Sequence, residues 1–432
     1  MTGGMAPDAL GAAREALRWV ADAAVPADGG VTWPRTRAPG APCSDDLYEG
    51  TAGVLAGLAE ARLTGITDFD DLARAAAGRL RHLVATGPAW TGGARPGRIN
   101  VPGLYDGLAG YAAALSMWAS VSGDTGAAQA AKHAVSALTG MASGERPVSA
   151  FRDVISGEAG ILLAVLAIGD GGAAPAAGAV AGRLAAAAIW ADGEPDWYAT
   201  DDIHYFLPNF SHGAAGIGYA LARASAELGR PDLLAIAAQA GHRLVRLGTR
   251  PDGTIAVPHS IPQLEMALPV SYGWCHGPTG TLRLFQVLDQ LRPEHGWGGK
   301  AEACRQAVRA SGLPARLFPG FWDNLGQCCG SAGVGEMALD RYQETGDPQW
   351  LAWAGTLAAD ILARSVGDDA GTRWSHTEHR ADPPRLEPSV GWMQGAAGIA
   401  GFLLRLTRVR ADGARAARLS WPDRPDLPRT PE

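Results

Sequence analysis

Cysteine is scarce in this chain, with five residues in 432, and two of the five are adjacent. Such a set makes a poor disulfide framework. We therefore interpret the cysteines as reduced thiols in the cytoplasm, some of which bind a metal. A surplus of positive charge is also missing, because the formal net charge is −7. We therefore expect neither a nucleic-acid partner nor binding to an anionic membrane surface.

Long apolar segments are missing too. No stretch is long and apolar enough for a transmembrane helix, and residues 1–25 lack a basic segment followed by an apolar core. We therefore predict a cytoplasmic protein with no membrane span and no signal peptide. Alternating β-branched runs hardly occur, so strand signals are weak throughout.

Glycine, in contrast, is abundant and regularly spaced. The motif Gly-x-x-Gly followed by an apolar run occurs seven times, with first glycines 50 to 65 residues apart. This spacing has room for two helices and their loops in each repeat. The seven motifs begin at Gly50, Gly107, Gly157, Gly213, Gly277, Gly330 and Gly395.

Each repeat contains an Ala-rich amphipathic segment, a loop rich in Gly, Pro and Trp, and then a second helix that is apolar around most of its circumference. The amphipathic segments predict outer helices and the apolar ones inner helices. The outer helices are predicted at about 8–24, 69–86, 125–142, 174–191, 231–248, 299–312 and 347–365.

The repeats predict an all-α fold, an (α/α)7 toroid of seven outer and seven inner helices without a large inserted domain. An open array would expose the last inner helix, 395–409, which is as apolar as the others, so closure into a ring is favoured. We expect residues 1–410 to form this single domain. Residues 411–432 have many prolines and alternating charges, and they predict a flexible C-terminal tail.

In a closed ring, the residue before each first glycine recurs around one mouth of the barrel. Polar residues are common at helix starts, so capping alone can account for the Glu, Asp, Ser and Gln found there, but Cys and His are poor caps. The seven positions hold Glu49, Asp106, Ser156, His212, His276, Cys329 and Gln394.

Three of the five cysteines lie in two successive repeats. Cys275 and Cys328 occupy one register position, and His276 and Cys329 the next. Thiolates and imidazole suit Zn²⁺: four protein ligands would make a closed structural site, and three would leave a position for water or substrate. Buried inert thiols are the plain alternative, and this is the interpretation for Cys43 and Cys304, which lie outside the register.

Seven such inner helices, with Trp-Cys-x-Gly before the fifth and Cys-Cys-Gly before the sixth, resemble the LanC family of lanthionine cyclases and the related LanC-like proteins. The resemblance covers about residues 8 to 409. It implies a toroid with Zn²⁺ at one mouth, held by Cys275, Cys328 and Cys329. It also implies that His212, in Ser-His-Gly, transfers a proton and that Asp153 is the catalytic-site aspartate.

The sequence departs from the family pattern at two places. Cys329 stands where most members have histidine, which would give a site of three thiolates. Ser271 stands where many bacterial members have arginine, so His276 or Tyr272 is expected to replace it in the proton relay. His276 therefore remains open as a metal ligand, a catalytic acid or neither.

The resemblance implies a zinc-dependent lanthipeptide cyclase. Its substrate would be a ribosomally made precursor peptide with a leader and a dehydrated core, prepared by a separate dehydratase. Long aromatic loops suit peptide capture, and we predict Tyr205, Tyr272 and Trp274 as substrate-binding residues. Two alternatives stay open: addition of glutathione to dehydrated residues, and a non-catalytic peptide-binding scaffold with structural zinc.

Overall fold

The computed structural model describes residues 8–87, 102–144, 146–265, 267–378 and 381–424. Within these ranges it contains fourteen α-helices that alternate between an outer and an inner layer, as predicted. Odd-numbered helices are outer and even-numbered helices are inner: α1 (Ala9–Ala21), α2 (Thr51–Leu63), α3 (Asp70–Thr86), α4 (Leu108–Ser122), α5 (Thr125–Ala142), α6 (Glu158–Ile168), α7 (Ala174–Ala186), α8 (Ala214–Leu228), α9 (Pro231–Gly248), α10 (Pro278–Leu291), α11 (Trp297–Ala310), α12 (Ser331–Thr345), α13 (Pro348–Ala363) and α14 (Ala396–Asp412).

The two layers differ in how much of each helix is buried. The inner helix α2 is buried continuously from Thr51 to Ala61, which requires neighbours on every side. The outer helix α1 buries Ala9, Ala13, Ala16 and other residues at helical spacing, which form one stripe against the inner layer. Sequence periodicity therefore distinguished the two layers correctly.

The ring is closed by contacts between its first and last units. The last inner helix, α14, packs against the first inner helix, α2, and the outer helix α1 packs against α14. The apolar surface of α14 is thereby covered. The closure predicted from the sequence is confirmed, and the described residues hold no large inserted domain.

A circle of seven backbone hydrogen bonds joins the loops that precede the inner helices. Each loop donates an N–H to a carbonyl of the loop in the next unit, at 2.8 to 3.2 Å, and the seventh bond returns to the first unit. In the third unit the register slips by one residue, because Ile155 accepts and Val154 donates. The bonds run from Tyr48 to Tyr105, Tyr105 to Ile155, Val154 to Ser211, Ser211 to Cys275, Cys275 to Cys328, Cys328 to Met393 and Met393 to Tyr48.

The second glycine of each motif lies against this circle. A Cβ added there would come within 1.8 to 2.5 Å of the carbonyl oxygen six residues earlier in the same loop. Only glycine permits that approach, so close packing explains the second glycine in all seven units. The residues are Gly53, Gly110, Gly160, Gly216, Gly280, Gly333 and Gly398.

Three small antiparallel sheets lie in loops between outer and inner helices: β1 (Val25–Ala27), β2 (Gly30–Pro34) and β3 (Cys43–Ser44); β4 (Ile189–Ala191) and β5 (Glu194–Asp196); β6 (Val366–Asp368) and β7 (Gly371–Arg373). The strand signal is weak because strands of two to five residues are too short for a visible alternation of apolar and polar residues. Each sheet is tied to the preceding outer helix by a buried indole N–H that donates to a helix carbonyl at 2.8 Å: Trp33 to Val20, Trp197 to Leu184, and Trp374 to Ile361.

The predicted flexible tail is wrong for residues 411–424. Trp421 stacks on Trp392 with ring centroids 4.8 Å apart. The buried carboxylate of Asp423 accepts hydrogen bonds from Arg283 at 2.6 Å and Tyr105 at 2.9 Å. The charges of this segment find partners inside the ring, which composition alone could not reveal. The rest of the predicted tail, 425–432, lies outside the described residues.

Among the helices that the structure describes, none has the length and apolar character of a membrane span.

Replacing Gly398 with alanine tests the role of the second glycines. A Cβ would lie 1.8 Å from the Trp392 carbonyl oxygen, so we expect the free energy of unfolding to fall by about 3 kcal/mol. Urea denaturation of the purified variant measures this change.

Gly140→Ala is the matched control. Gly140 lies in α5 with no atom within 4 Å of an added Cβ, so this change should stabilise the protein by about 0.5 to 1 kcal/mol. Equal urea-denaturation midpoints for the two variants would contradict the conclusion that close packing requires glycine at position 398.

Candidate metal centre and active site

Cys275, Cys328 and Cys329 meet at one mouth of the ring. Their loops precede α10 and α12 in neighbouring units, and the bond from Cys275 N–H to the Cys328 carbonyl, 3.2 Å long, holds the loops together. The Cys275 and Cys329 Sγ atoms are 2.9 Å apart, and those of Cys328 and Cys329 are 3.4 Å apart. All three sulfur atoms lie within 4.8 Å of one another, close enough to bind one metal ion.

The donor set fits a soft-tolerant cation such as Zn²⁺. Cys275 and Cys328 are buried, whereas Cys329 is partly exposed. Hydrogen bonds from Cys275 and Cys329 lower the pKa of the Cys328 thiol well below its ordinary value, so the cluster favours an anionic sulfur. Thiolate is the form of cysteine that binds metals.

His276 lies beside this cluster but is not part of the group of ligand atoms within the described residues. Its ring stacks on that of His259, with centroids 3.9 Å apart and planes 15° apart. Burial lowers the pKa of His276 well below its ordinary value, which keeps the imidazole neutral. The structure thus favours a three-sulfur set over the closed set of four.

Tyr48 lies near the cluster and comes from the first unit of the ring. Its hydroxyl oxygen accepts a hydrogen bond from the Gln394 amide nitrogen at 2.9 Å. Burial and the neighbouring thiols raise the pKa of Tyr48 well above its ordinary value, so the phenol stays neutral. Sequence reasoning gave Tyr48 no role, although its register position is that of Cys275 and Cys328.

His212 and Asp153 form a hydrogen-bonded pair. The His212 Nδ1 atom is 2.6 Å from Asp153 Oδ2, and the other carboxylate oxygen of Asp153 accepts the Ser156 N–H at 2.8 Å. Burial would lower the pKa of His212, but the hydrogen bond and charge of Asp153 outweigh it, and the pKa is raised. The pair is therefore suited to hold a proton on the imidazole ring.

A second acid lies behind this pair. The Ser156 hydroxyl donates to Asp106, and burial raises the pKa of the Asp106 carboxyl to about 8. Asp106 is therefore mainly protonated at neutral pH.

A cavity of about 420 Å³ opens beside the thiols. Cys275, Cys329 and His276 line it, while His212 does not; the His212 ring is 5.6 Å from that of His276. The other walls are largely apolar, with polar groups between them. They include Leu264, Leu268, Val270, Phe321, Trp322, Leu386, His259, Asn324, His376 and Gln394.

The three predicted substrate-binding residues differ in position. Tyr272 lines the cavity and accepts a hydrogen bond from Arg250 at 3.2 Å. Trp274 is only 3% exposed, and it packs on Tyr105 and Phe210 beneath the site. Assigning Trp274 to the substrate surface is therefore wrong, because the turn into α10 directs its side chain to the core. Tyr205 is partly buried and is not among the residues lining the cavity.

Arg250 lies beside Tyr272, the neighbour of Ser271. Ser271 lines the cavity, and the Arg250 guanidinium lies 5.7 Å from the centre of the neighbouring Tyr272 ring. Arg250 follows α9, outside the register of glycine motifs, so sequence spacing could not identify it.

A closed ring of seven helix pairs with three thiols at one mouth defines an α/α toroid with a candidate soft-metal centre. The family described as lanthionine synthetase C-like protein matches residues 41–411, and the chain belongs to this family.

Solved structures support the same fold. Nisin cyclase is 14% identical with a TM-score of 0.54, and the match covers 84% of this chain and 88% of that one. The Lin0763 protein from Listeria innocua is 13% identical with a TM-score of 0.53, covering 95% and 99%. The GH76 α-mannanase BT2949 from Bacteroides thetaiotaomicron is 9% identical with a TM-score of 0.50, covering 94% and 98%. A search of curated proteins finds no match.

Substituting Asp153 by asparagine tests the electrostatics of the pair. The variant removes the charge that raises the pKa of His212 and leaves burial, so this pKa should fall by about one unit or more. Titration of the His212 ring protons by NMR measures the shift.

Asp201→Asn is the control, because Asp201 is exposed and pairs with Arg152. It should leave the His212 titration unchanged. A His212 pKa that is the same in Asp153→Asn and in the unmodified protein would refute the assignment.

Proposed function

We propose that this protein is a zinc-dependent lanthipeptide cyclase. It would add cysteine thiols of a dehydrated precursor peptide to dehydroalanine or dehydrobutyrine and form lanthionine or methyllanthionine rings. The observation that carries the proposal is the group of three cysteine sulfurs beside a cavity of about 420 Å³ in a member of the lanthionine synthetase C-like family.

Cys275, Cys328 and Cys329 would hold the ion. When bound, zinc supplies a Lewis acid that keeps a thiol ionised near neutral pH, although a free cysteine has a pKa of about 8.5. Cys275 and Cys329 line the cavity and Cys329 is partly exposed, so an ion held by these residues would be accessible from the place where a peptide can lie.

The addition conserves all atoms. A bond forms between the cysteine sulfur and Cβ of the dehydrated residue, and the electron pair of the double bond moves toward the neighbouring amide as an enolate. A proton then adds to Cα. His212 is our candidate for the acid, since Asp153 binds Nδ1, stabilises the protonated ring and leaves Nε2 for the transfer.

His276 would stabilise the enolate oxygen that develops during the addition. Its neutral ring lines the cavity 5.6 Å from the His212 ring, and a neutral imidazole N–H can donate a hydrogen bond to the developing enolate oxygen. The apolar walls, with Tyr272 among the lining residues, would exclude water and hold peptide side chains. A separate dehydratase would supply the substrate.

The alternatives have less support. Among the described residues that line the cavity, the charged side chains are Asp323 and Glu378, which would repel the negative charges of glutathione. A structural zinc site in a scaffold would need a fourth protein ligand, and the position of His276 against His259 does not favour that role.

The direct test is cyclisation of a dehydrated peptide that contains cysteine. Because the addition leaves the mass unchanged, the peptide is alkylated after incubation with the zinc-loaded protein, and thiols protected from alkylation are counted by mass spectrometry. We expect protection with the unmodified protein and a loss of at least about 100-fold in rate with Cys328→Ala.

Cys43→Ala is the matched control, because Cys43 lies in β3 outside the cluster. It should cyclise the peptide at the normal rate. If the Cys328→Ala variant protected the peptide thiols from alkylation at that same rate, the proposed chemistry would be excluded.

Substituting His212 by asparagine tests the proton transfer. We expect the rate of cyclisation to fall by about 100-fold or more. We also expect a mixture of configurations at Cα, because the proton would no longer be delivered from one side. The rate is followed by alkylation, and the configuration is determined by chiral analysis of the hydrolysed product. Full rate and unchanged stereochemistry would remove His212 from the mechanism and leave His276 as the candidate acid.

A further inference from the structure

We propose that Asp423 is a positioning residue of the candidate metal centre, and that it acts on the loop of Cys275 through Arg283. Asp423 belongs to the C-terminal segment, residues 413–424, and it is not among the described residues that line the cavity. The inference rests on the proposed function, because it concerns the ion that the three cysteines would hold. The segment thereby contributes to the site without forming part of its surface.

The carboxylate of Asp423 lies inside the ring, and only 2% of the residue is exposed. Arg283 donates hydrogen bonds to the carboxylate at 2.6 Å and to the backbone carbonyl of Asp423 at 2.7 Å. The Tyr105 hydroxyl donates to the same carboxylate at 2.9 Å. Arg283 belongs to α10 of the fifth unit and Tyr105 to the loop before α4 of the second unit, so Asp423 connects two separated parts of the ring.

Arg283 in turn contacts two aromatic side chains beneath the mouth. Its guanidinium carbon is 5.1 Å from the centre of the Phe210 ring and 5.8 Å from that of the Trp274 ring. The Phe210 and Trp274 ring centroids are 5.7 Å apart, and those of Tyr105 and Trp274 are 5.2 Å apart. A buried arginine is costly to separate from its carboxylate, so Asp423 fixes the guanidinium against these rings.

The two rings directly precede residues of the candidate site. Trp274 is followed by Cys275, and Phe210 is followed by Ser211 and His212. The Ser211 N–H donates to the Cys275 carbonyl at 3.1 Å, which joins the two loops. Ligand groups keep the geometry that a metal ion requires only when packed neighbours hold them in place. A shift of the Trp274 ring would therefore move the Cys275 sulfur relative to the other two.

The same segment also reaches the loop of the other two cysteines. Trp421 stacks on Trp392, with ring centroids 4.8 Å apart. Trp392 is followed by Met393, whose carbonyl accepts the Cys328 N–H at 2.9 Å. The C-terminal segment thus packs behind both loops that supply the sulfurs, and its position bears on the distance between them.

The pair of Asp196 and Arg243 is a matched control for the pair of Asp423 and Arg283. In both pairs the closest oxygen-to-nitrogen distance is 2.6 Å and the carboxylate side chain is 3% exposed. Asp196 lies in β5, outside the circle of backbone hydrogen bonds. Asp196→Asn therefore leaves a buried arginine without its carboxylate, as Asp423→Asn does, but not behind a cysteine loop.

The experiment compares zinc affinity in Asp423→Asn, Asp196→Asn and the unmodified protein. Affinity is measured by competition with a chromophoric chelator at pH 7, at a temperature at which circular dichroism shows all three to be folded. For Asp423→Asn we expect about 10-fold weaker zinc binding, the lower end of what the loss of an outer partner costs a metal site. Asp196→Asn should bind zinc like the unmodified protein. Equal affinities for the two variants would overturn the inference.

Cyclisation of the dehydrated peptide gives a second readout. With saturating zinc, Asp423→Asn should lower kcat about 10-fold. KM for the peptide should stay unchanged, since Asp423 is not among the described residues that line the cavity. A raised KM with an unchanged kcat would contradict the inference, because the effect would then lie in peptide binding.

Arg283→Lys separates the charge pair from the contacts with the rings. Lysine keeps a positive charge beside Asp423 but has no planar guanidinium to lie over Phe210 and Trp274. We expect weaker zinc binding for this variant too, so it replaces Asp423→Asn should that variant fail to fold. An unchanged zinc affinity in Arg283→Lys would overturn the inference.

Failure of the proposed function has a different result. If the unmodified protein binds zinc but does not cyclise the peptide, the proposed function is wrong, and the comparison of zinc affinities still tests Asp423. If the unmodified protein binds no zinc, the proposed function and the inference are both overturned.

Discussion

The structure depends on the circle of backbone hydrogen bonds that joins the seven loops at one mouth of the ring. A hydrogen bond between neighbouring loops is ordinary, but seven in sequence that return to their start fix every loop relative to all others. The second glycines serve this circle, since a side chain at Gly280 or Gly398 would collide with the loop carbonyls that the helices approach. The inner helices therefore begin at matched heights, and the side chains before them form one layer.

The chemistry of the mouth follows from that layer. Cys275 and Cys328 are 53 residues apart in sequence but adjacent in the circle, which brings their sulfurs together with that of Cys329. The same geometry places Asp153 against His212 from neighbouring units. No single loop contains a complete site, so each unit supplies one or two groups and the closed ring assembles them. This explains why so weak a repeat at the sequence level can carry specific chemistry.

The far side of the ring is organised by charge. Arg405 is fully buried between Glu336 and Asp340, and Arg424 of the C-terminal segment joins the same carboxylates, 3.2 Å from Glu336. Asp423 forms a salt bridge with Arg283. The Arg283 guanidinium also lies 5.8 Å from the centre of the Trp274 ring. A buried charge without its partner is costly, so these pairs hold the segment inside the ring. Through Arg283, the C-terminal segment thereby supports Trp274, the residue that precedes Cys275.

Glycine spacing and helical periodicity determined the fold class, the two layers, the closure of the ring and the grouping of the three cysteines, because these features repeat in the sequence with a fixed register. Three features escaped sequence reasoning. The short sheets are below the length at which alternation is visible, the segment 411–424 looks solvated by composition, and Trp274 looks like a surface aromatic beside a ligand. Only the tertiary structure decided the places of Tyr48, Arg250 and His259. Tyr48 comes from the first unit, whereas Arg250 and His259 lie in the long loop before α10, many residues ahead of Tyr272 and His276, which they contact. Contacts of this kind depend on loop conformation and side-chain direction, which no local pattern in the sequence records.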